Sequence, residues 1–153
     1  MGNIMDKQHK FWKEEYASSY IEKNKVFEEN LGVEAWSKML SKTSNIETLL
    51  ECGCNIGRNI SFLDKINPKT KKSIIELSPK AFEIVTRNHK LDSCQNSSIL
   101  ESDLGKTFDL VFTMGVLIHI HPDKLIDNIR KIYDYSNKYI LIGEYFNRTP
   151  TSI

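Results

Sequence analysis

From Ile46 onward, short apolar runs alternate with amphipathic segments, and this alternation narrows the fold more than any other feature of the chain. Ile46 to Cys52 reads as a strand and Gly53 to Gly57 as a turn. Arg58 to Ile66 reads as a helix with Ile60, Leu63 and Ile66 on one face, ended by Asn67-Pro68. Ser73 to Leu77 is the next strand. Ser78-Pro79 then opens a helix through Ala81, Phe82 and Val85, with serine as N-cap and proline at the first helical position. Ser93 to Gln95 is a short strand, and Phe108 to Met114 a long one. Pro122 starts a helix expected to bury Leu125, Ile129, Ile132 and Tyr133, and Tyr139 to Tyr145 is the last strand. Strands apolar on both faces imply a parallel sheet covered by helices on both sides, and right-handed crossovers make it a doubly wound α/β domain.

Residues 1–45 read as a helical cap on this core, residues 46–153. Trp12, Tyr16 and Tyr20 recur every four residues, and Trp36, Met39 and Leu40 share one side of a second helix. At 153 residues, with 40% apolar and 27% charged, the chain suits one globular domain. Lysine and arginine total 21 against 20 acidic residues, a net charge of +1 that disfavours nucleic acid and anionic membrane as partners. No apolar run is long enough to span a bilayer and the N-terminus has no signal-peptide core, so the expected address is cytoplasmic. Cys52 and Cys54 are spaced unlike zinc ligands even with His119 and His121 nearby, so no metal is expected.

Ligands of such folds sit at the carboxyl ends of the strands. The loop there is Glu51-Cys52-Gly53-Cys54-Asn55-Ile56-Gly57-Arg58-Asn59. Gly53 can take a positive φ out of the strand, and Gly57 lets the next helix start close to the sheet. A dinucleotide fingerprint fails, because its third and sixth positions hold Asn55 and Arg58; a P-loop and a nucleophile elbow fail as well. What remains is an acid, a glycine and a second glycine four residues on, with Glu76 nineteen residues further at the tip of the second strand. An acid placed there can accept two hydrogen bonds from a ribose diol, while Glu51 would face the other end of the ligand.

Glu51-x-Gly53-x-x-x-Gly57 with Glu76 resembles the S-adenosylmethionine site of class I methyltransferases. A closer resemblance is to the small methylases associated with pseudaminic acid biosynthesis. It rests on Phe11-Trp12, Tyr20-Ile21, Asn24, Cys54-Asn55-Ile56-Gly57 with Asn59, Phe108 to Thr113, Gly115 to Ile120, and Glu144-Tyr145. The resemblance implies a Rossmann-like sheet of order 3-2-1-4-5. It also implies methyl transfer from S-adenosylmethionine to an oxygen or nitrogen of a small molecule, a sugar or sugar nucleotide. Gly53, Cys54, Asn55 and Gly57 would contact the methionine part, with Glu51 beside them. Glu76 would contact the ribose, Ser98 and Ile99 would flank the adenine, Met114 and Gly115 would wall the sulfonium, and Leu77 would also contact the cofactor. Tyr20, with Trp12 and Tyr16, would close over the cofactor.

His119 is the expected general base, since an imidazole titrates near neutrality; its alternative is a hydrogen bond to a loop carbonyl. Glu144 and Tyr145, with Asn147, would lie against the substrate or else cap the sheet edge. The chain ends shortly after the fifth strand, without the terminal strand hairpin of class I methyltransferases. The fifth strand is then an exposed apolar edge, for which self-association or a completing partner is expected. The same feature keeps open a cofactor-binding module without transferase activity, and an enzyme that cleaves the cofactor is a second alternative.

Overall fold

The computed structural model describes residues 10–12, 21–22 and 28–145. Helix α1 spans Glu29–Leu40 and leads into β1 (Thr48–Cys52), α2 (Arg58–Ile66), β2 (Lys71–Glu76), α3 (Pro79–Asn88) and β3 (Ser93–Asn96). After an irregular stretch come β4 (Phe108–Met114), a 3-10 turn (Leu117–His119), α4 (Pro122–Tyr135) and β5 (Ser136–Gly143). The strands form one sheet in the order β3-β2-β1-β4-β5, and every neighbouring pair is parallel. This is the order and class expected from the sequence.

Consecutive strand residues point to opposite faces, so each central strand feeds two cores. Leu49, Ile74 and Leu110 pack with Trp36, Ile60 and Val85 on one side; Leu50, Ile75 and Val111 pack with Ile99, Ile132 and Tyr135 on the other. At the amino end of the sheet, Asp109 accepts the backbone N–H groups of Glu47 and Thr48 at 2.8 and 3.1 Å. That clasp aligns β1 with β4 and leaves their carboxyl ends in register.

Four expectations need correcting. The fifth strand begins at Ser136 and ends at Gly143, so Glu144 and Tyr145 lie beyond it. Helix α4 buries Asn128, Ile132 and Tyr135, whereas Ile129 and Tyr133 are exposed. The polar groups on the buried face are satisfied: the Tyr135 hydroxyl pairs with Ser102 Oγ at 2.8 Å, and the Asn128 amide donates to the Lys124 carbonyl at 2.8 Å. Ranking side chains by hydrophobicity alone misses such a face. On α1, Trp36 is buried but Met39 faces outward. Strand β5 forms one edge of the sheet, with Ile140 and Ile142 exposed. No helix among the described residues is long and apolar enough to cross a membrane.

Gly57 caps α2 at φ 85°, and a Cβ there would lie 2.7 Å from Val85 Cγ2 and 2.9 Å from the His89 ring. The close approach is therefore to α3, not to the sheet as the sequence suggested. Gly57→Ala is expected to cost about 1–3 kcal/mol, from strain in the left-handed backbone and the clash with α3. Denaturant unfolding measures it; a loss under about 0.5 kcal/mol, the level of an unremarkable surface change, would contradict this packing.

Candidate functional site

The carboxyl ends of β1, β2 and β4, the segment after β3 and the start of α4 enclose a cavity of about 420 Å³. Its floor is set by the turn after β1. Gly53 leaves the strand at φ 80° and Asn55 is also left-handed at φ 50°, a conformation asparagine tolerates better than most residues. A Cβ on Gly53 would lie 2.6 Å from Val116 Cγ2, so this glycine also admits the loop that follows β4.

Glu76 holds the floor in place. One carboxylate oxygen accepts the Asn55 N–H at 2.7 Å and the other accepts the Ser78 N–H at 2.8 Å. Burial pushes its pKa up, and the same two N–H groups with that of Leu77 oppose the shift. The acid expected to meet a ribose is thus first a brace between the β1 loop and the cap of α3. It still lines the cavity, and a carboxylate has lone pairs beyond those two bonds.

Glu51 lies deeper. It is about 1% exposed; one oxygen accepts the Asn59 amide N–H at 2.7 Å and the other has no partner. Burial raises its pKa to about 8, with Glu76 adding to the rise and Asn59 and Arg58 opposing it. Among the described residues, four buried side-chain polar atoms lack a partner: Glu51 Oε2, Asn55 Oδ1, Ser97 Oγ and Thr113 Oγ1. Three of these four residues line the cavity. Buried polar atoms are normally paired, so the three gathered on this cavity offer hydrogen-bonding capacity to a ligand.

The structure brings together on this cavity Glu51, Gly53, Cys54, Asn55, Glu76, Leu77, Ser98, Ile99, Met114, Gly115 and His119. Gly57 shapes the loop without lining the cavity. Tyr20 and Tyr16 lie outside the described residues, but Trp12 lines the cavity with its ring centroid 4.1 Å from that of His119. Burial lowers the pKa of His119, with the charge of Glu144 opposing, which favours a neutral imidazole.

Glu144 does not line the cavity. Its carboxylate accepts the backbone N–H groups of Val116, Leu117 and Ile118 at 3.1, 3.0 and 3.4 Å, and so fixes the turn that carries His119. The ring of Tyr145 is exposed beside Gly115, outside the cavity as well. Neither residue lines the cavity; of the two placements the sequence left open, against a substrate or capping the sheet edge, Glu144 takes a bracing position just past the end of β5. His121 lines the cavity and caps α4, its Nδ1 accepting the Asp123 N–H at 3.3 Å. Sequence reasoning missed Ser97, Lys124 and Asn128. The last two are four residues apart on one face of α4, a spacing that would have signalled them had the buried face of that helix been read correctly.

Comparison with solved structures decides the architecture. The sugar N-methyltransferase KedS8 from Streptoalloteichus sp ATCC 53650 superposes with a TM-score of 0.72 at 16% identity, over 86% of this chain and 54% of that one. The fold is that of S-adenosylmethionine-dependent methyltransferases. The plantazolicin methyltransferase BpumL in complex with S-adenosylhomocysteine matches this methyltransferase fold with a TM-score of 0.69 at 16% identity, over 91% of this chain and 57% of that one. The SAM-bound amino pentose methyltransferase CalS10 from Micromonospora echinaspora gives 0.66 at 16% identity, over 86% and 56%. Among curated proteins, the Homo sapiens tRNA N(3)-cytidine methyltransferase METTL6 is 29% identical over 111 residues, 64% of this chain and 38% of that protein. No family model matches the chain. The chain thus spans little more than half the length of these solved methyltransferases and under half of METTL6.

A buried acid whose folded pKa lies above its unfolded value of 4.5 holds a proton that the unfolded chain sheds. Its contribution to stability is therefore full below the unfolded value and lost as pH rises through about 8. The melting temperature is expected to fall as pH rises from about 5.5 to about 8, and Glu51→Gln should flatten that fall, leaving the part owed to Glu76, whose pKa burial also raises. Equal pH slopes in the two proteins would contradict the burial described for Glu51.

Proposed function

We propose that this chain binds S-adenosylmethionine and transfers its methyl group to an oxygen or nitrogen of a small molecule, a sugar or sugar nucleotide. The observation that carries the reading is the set of unpartnered buried polar atoms on the cavity, Glu51 Oε2 at the end of β1, Asn55 Oδ1 in the loop after it and Ser97 Oγ after β3. When bound, S-adenosylmethionine supplies a methyl group already activated on a sulfonium. Glu51 offers its free oxygen to the ammonium of the methionine part, with Gly53, Cys54 and Asn55 around it. Glu76 offers its remaining lone pairs to the ribose. Leu77, Ser98 and Ile99 flank the base, and Met114 and Gly115 wall the sulfur end. The ammonium of the methionine part thus meets acidic Glu51, which suits its positive charge.

Catalysis then rests on positioning and on exclusion of water. The Trp12–His119 stack covers part of the cavity, and the neutral imidazole accepts a proton from the acceptor. Glu144 acts through the turn that it holds.

The sugar class follows the resemblance to the methylases associated with pseudaminic acid biosynthesis, and KedS8 and CalS10 are themselves methyltransferases of sugars. METTL6 acts on tRNA. A net charge of +1 gives this chain little excess for a nucleic-acid backbone, which favours the small-molecule reading.

Isothermal titration with S-adenosylmethionine and S-adenosylhomocysteine tests the pocket. Micromolar binding is expected, weakened by about tenfold or more in Glu76→Ala, which loses both the brace and the ribose acceptor. Methyl transfer is then followed over panels of sugars, sugar nucleotides and tRNA, with a cofactor-only control. Transfer to tRNA alone would overturn the substrate class, and breakdown of the cofactor without acceptor would identify a cleaving enzyme. Absence of binding by the folded protein would overturn the reading itself.

A further inference from the structure

One oxygen of the Glu51 carboxyl is held by a hydrogen bond, which leaves the other without a partner in a residue that lines the cavity. The Trp36 indole N–H donates to Asn59 Oδ1 at 3.2 Å, and Asn59 Nδ2 donates to Glu51 Oε1 at 2.7 Å. An indole can only donate, so it fixes which end of the Asn59 amide faces it, and the NH₂ end is left to point at Glu51. The indole is itself immobile: Trp36 is buried, with its ring centroid 4.7 Å from that of Phe112 in the core. Asn59 stands in the first turn of α2 and, like Glu51, lines the cavity.

We infer that Trp36 and Asn59 are positioning residues for ligand recognition, a relay that fixes the Glu51 carboxyl so that its unpartnered oxygen is presented to the cationic amino group of the ligand. This rests on the binding reading above and extends it from the cavity wall to α1 and the core. Two of the three members come from helices and the third from the end of β1, so the relay couples the cap helix to the chemistry of the pocket.

The charged groups that face Glu51 are Glu76 from the end of β2 and Arg58 from α2. The thiol of Cys54, buried beside both acids, is pushed up and stays protonated. The Asn59 hydrogen bond favours the ionised form of Glu51. Removing it should therefore raise the pH at which the carboxylate becomes available to a cationic ligand.

The experiment measures the affinity of S-adenosylhomocysteine, and of its analogue without the α-amino group, from about pH 6 to about pH 8.5. Wild type is expected to bind more tightly as pH rises and to prefer the amino form by about tenfold or more. Asn59→Ala should move the midpoint of that rise upward by about one pH unit and reduce the preference severalfold. Trp36→Phe keeps an aromatic ring in the core and should move both quantities in the same direction. Because the indole acts through the amide, Trp36→Phe should add nothing in the Asn59→Ala background. Thermal melts show that each variant is folded, and Asn59→Ala decides the matter if Trp36→Phe is not.

Variants with the wild-type midpoint and amino preference would overturn the relay while leaving the binding reading intact. So would a Trp36→Phe effect that persists without Asn59. Failure of wild type to bind S-adenosylhomocysteine would instead overturn the binding reading.

Discussion

The Glu76 carboxylate accepts the Asn55 N–H on one oxygen and the Ser78 N–H on the other, and the shape of the cavity depends on this pair of bonds. The two donors belong to different crossovers, one leaving β1 and the other capping α3. A single carboxylate at the end of β2 therefore sets the distance between the two loops on which a ligand would rest. It also compensates Asn55 for its left-handed backbone, which costs free energy unless the surroundings hold it. Charged acceptors make stronger bonds to N–H groups than neutral ones, which is why an acid suits this position.

The opposite wall is built in the same way. Glu144 leaves β5 and receives the amides of Val116, Leu117 and Ile118, closing the loop after β4 over the β1 turn. Gly53 makes room for Val116 in that closure. Between the two braces the cavity carries Glu51, Glu76 and Glu101, with Arg58 among them, toward β1, β2 and β3, and His119, His121 and Lys124 toward β4 and α4. The Trp36–Asn59–Glu51 relay fixes the first of these carboxylates from the core side.

The elements that sequence reasoning placed well are those whose signals are local. Strands apolar on both faces gave a parallel sheet, Ser78-Pro79 gave the start of α3, and Phe108 to Met114 matches β4 at both ends. The glycine loop was recognisable because positive φ and close approach leave few residue choices. Side-chain direction was harder to read. Glu144 has the residue type and position of a substrate contact, yet its carboxylate turns to three amides that exist only once β4 and β5 are paired. Tyr135 and Asn128 are buried because Ser102 and a helix carbonyl satisfy them, and neither partner is visible in the pattern of α4 alone. The relay from Trp36 spans 23 residues and two helices, which no periodicity encodes.

The central claim is that one cavity, braced by Glu76 and Glu144, is the ligand site. Titration of uniformly 15N-labelled protein with S-adenosylhomocysteine, followed by amide resonances, tests it most directly. Saturable shifts are expected for Gly53, Asn55, Leu77, Ser98 and Gly115, with the outer positions Ile126 and Tyr133 of α4 unmoved. No saturable shift, or shifts confined to that outer face, would contradict it.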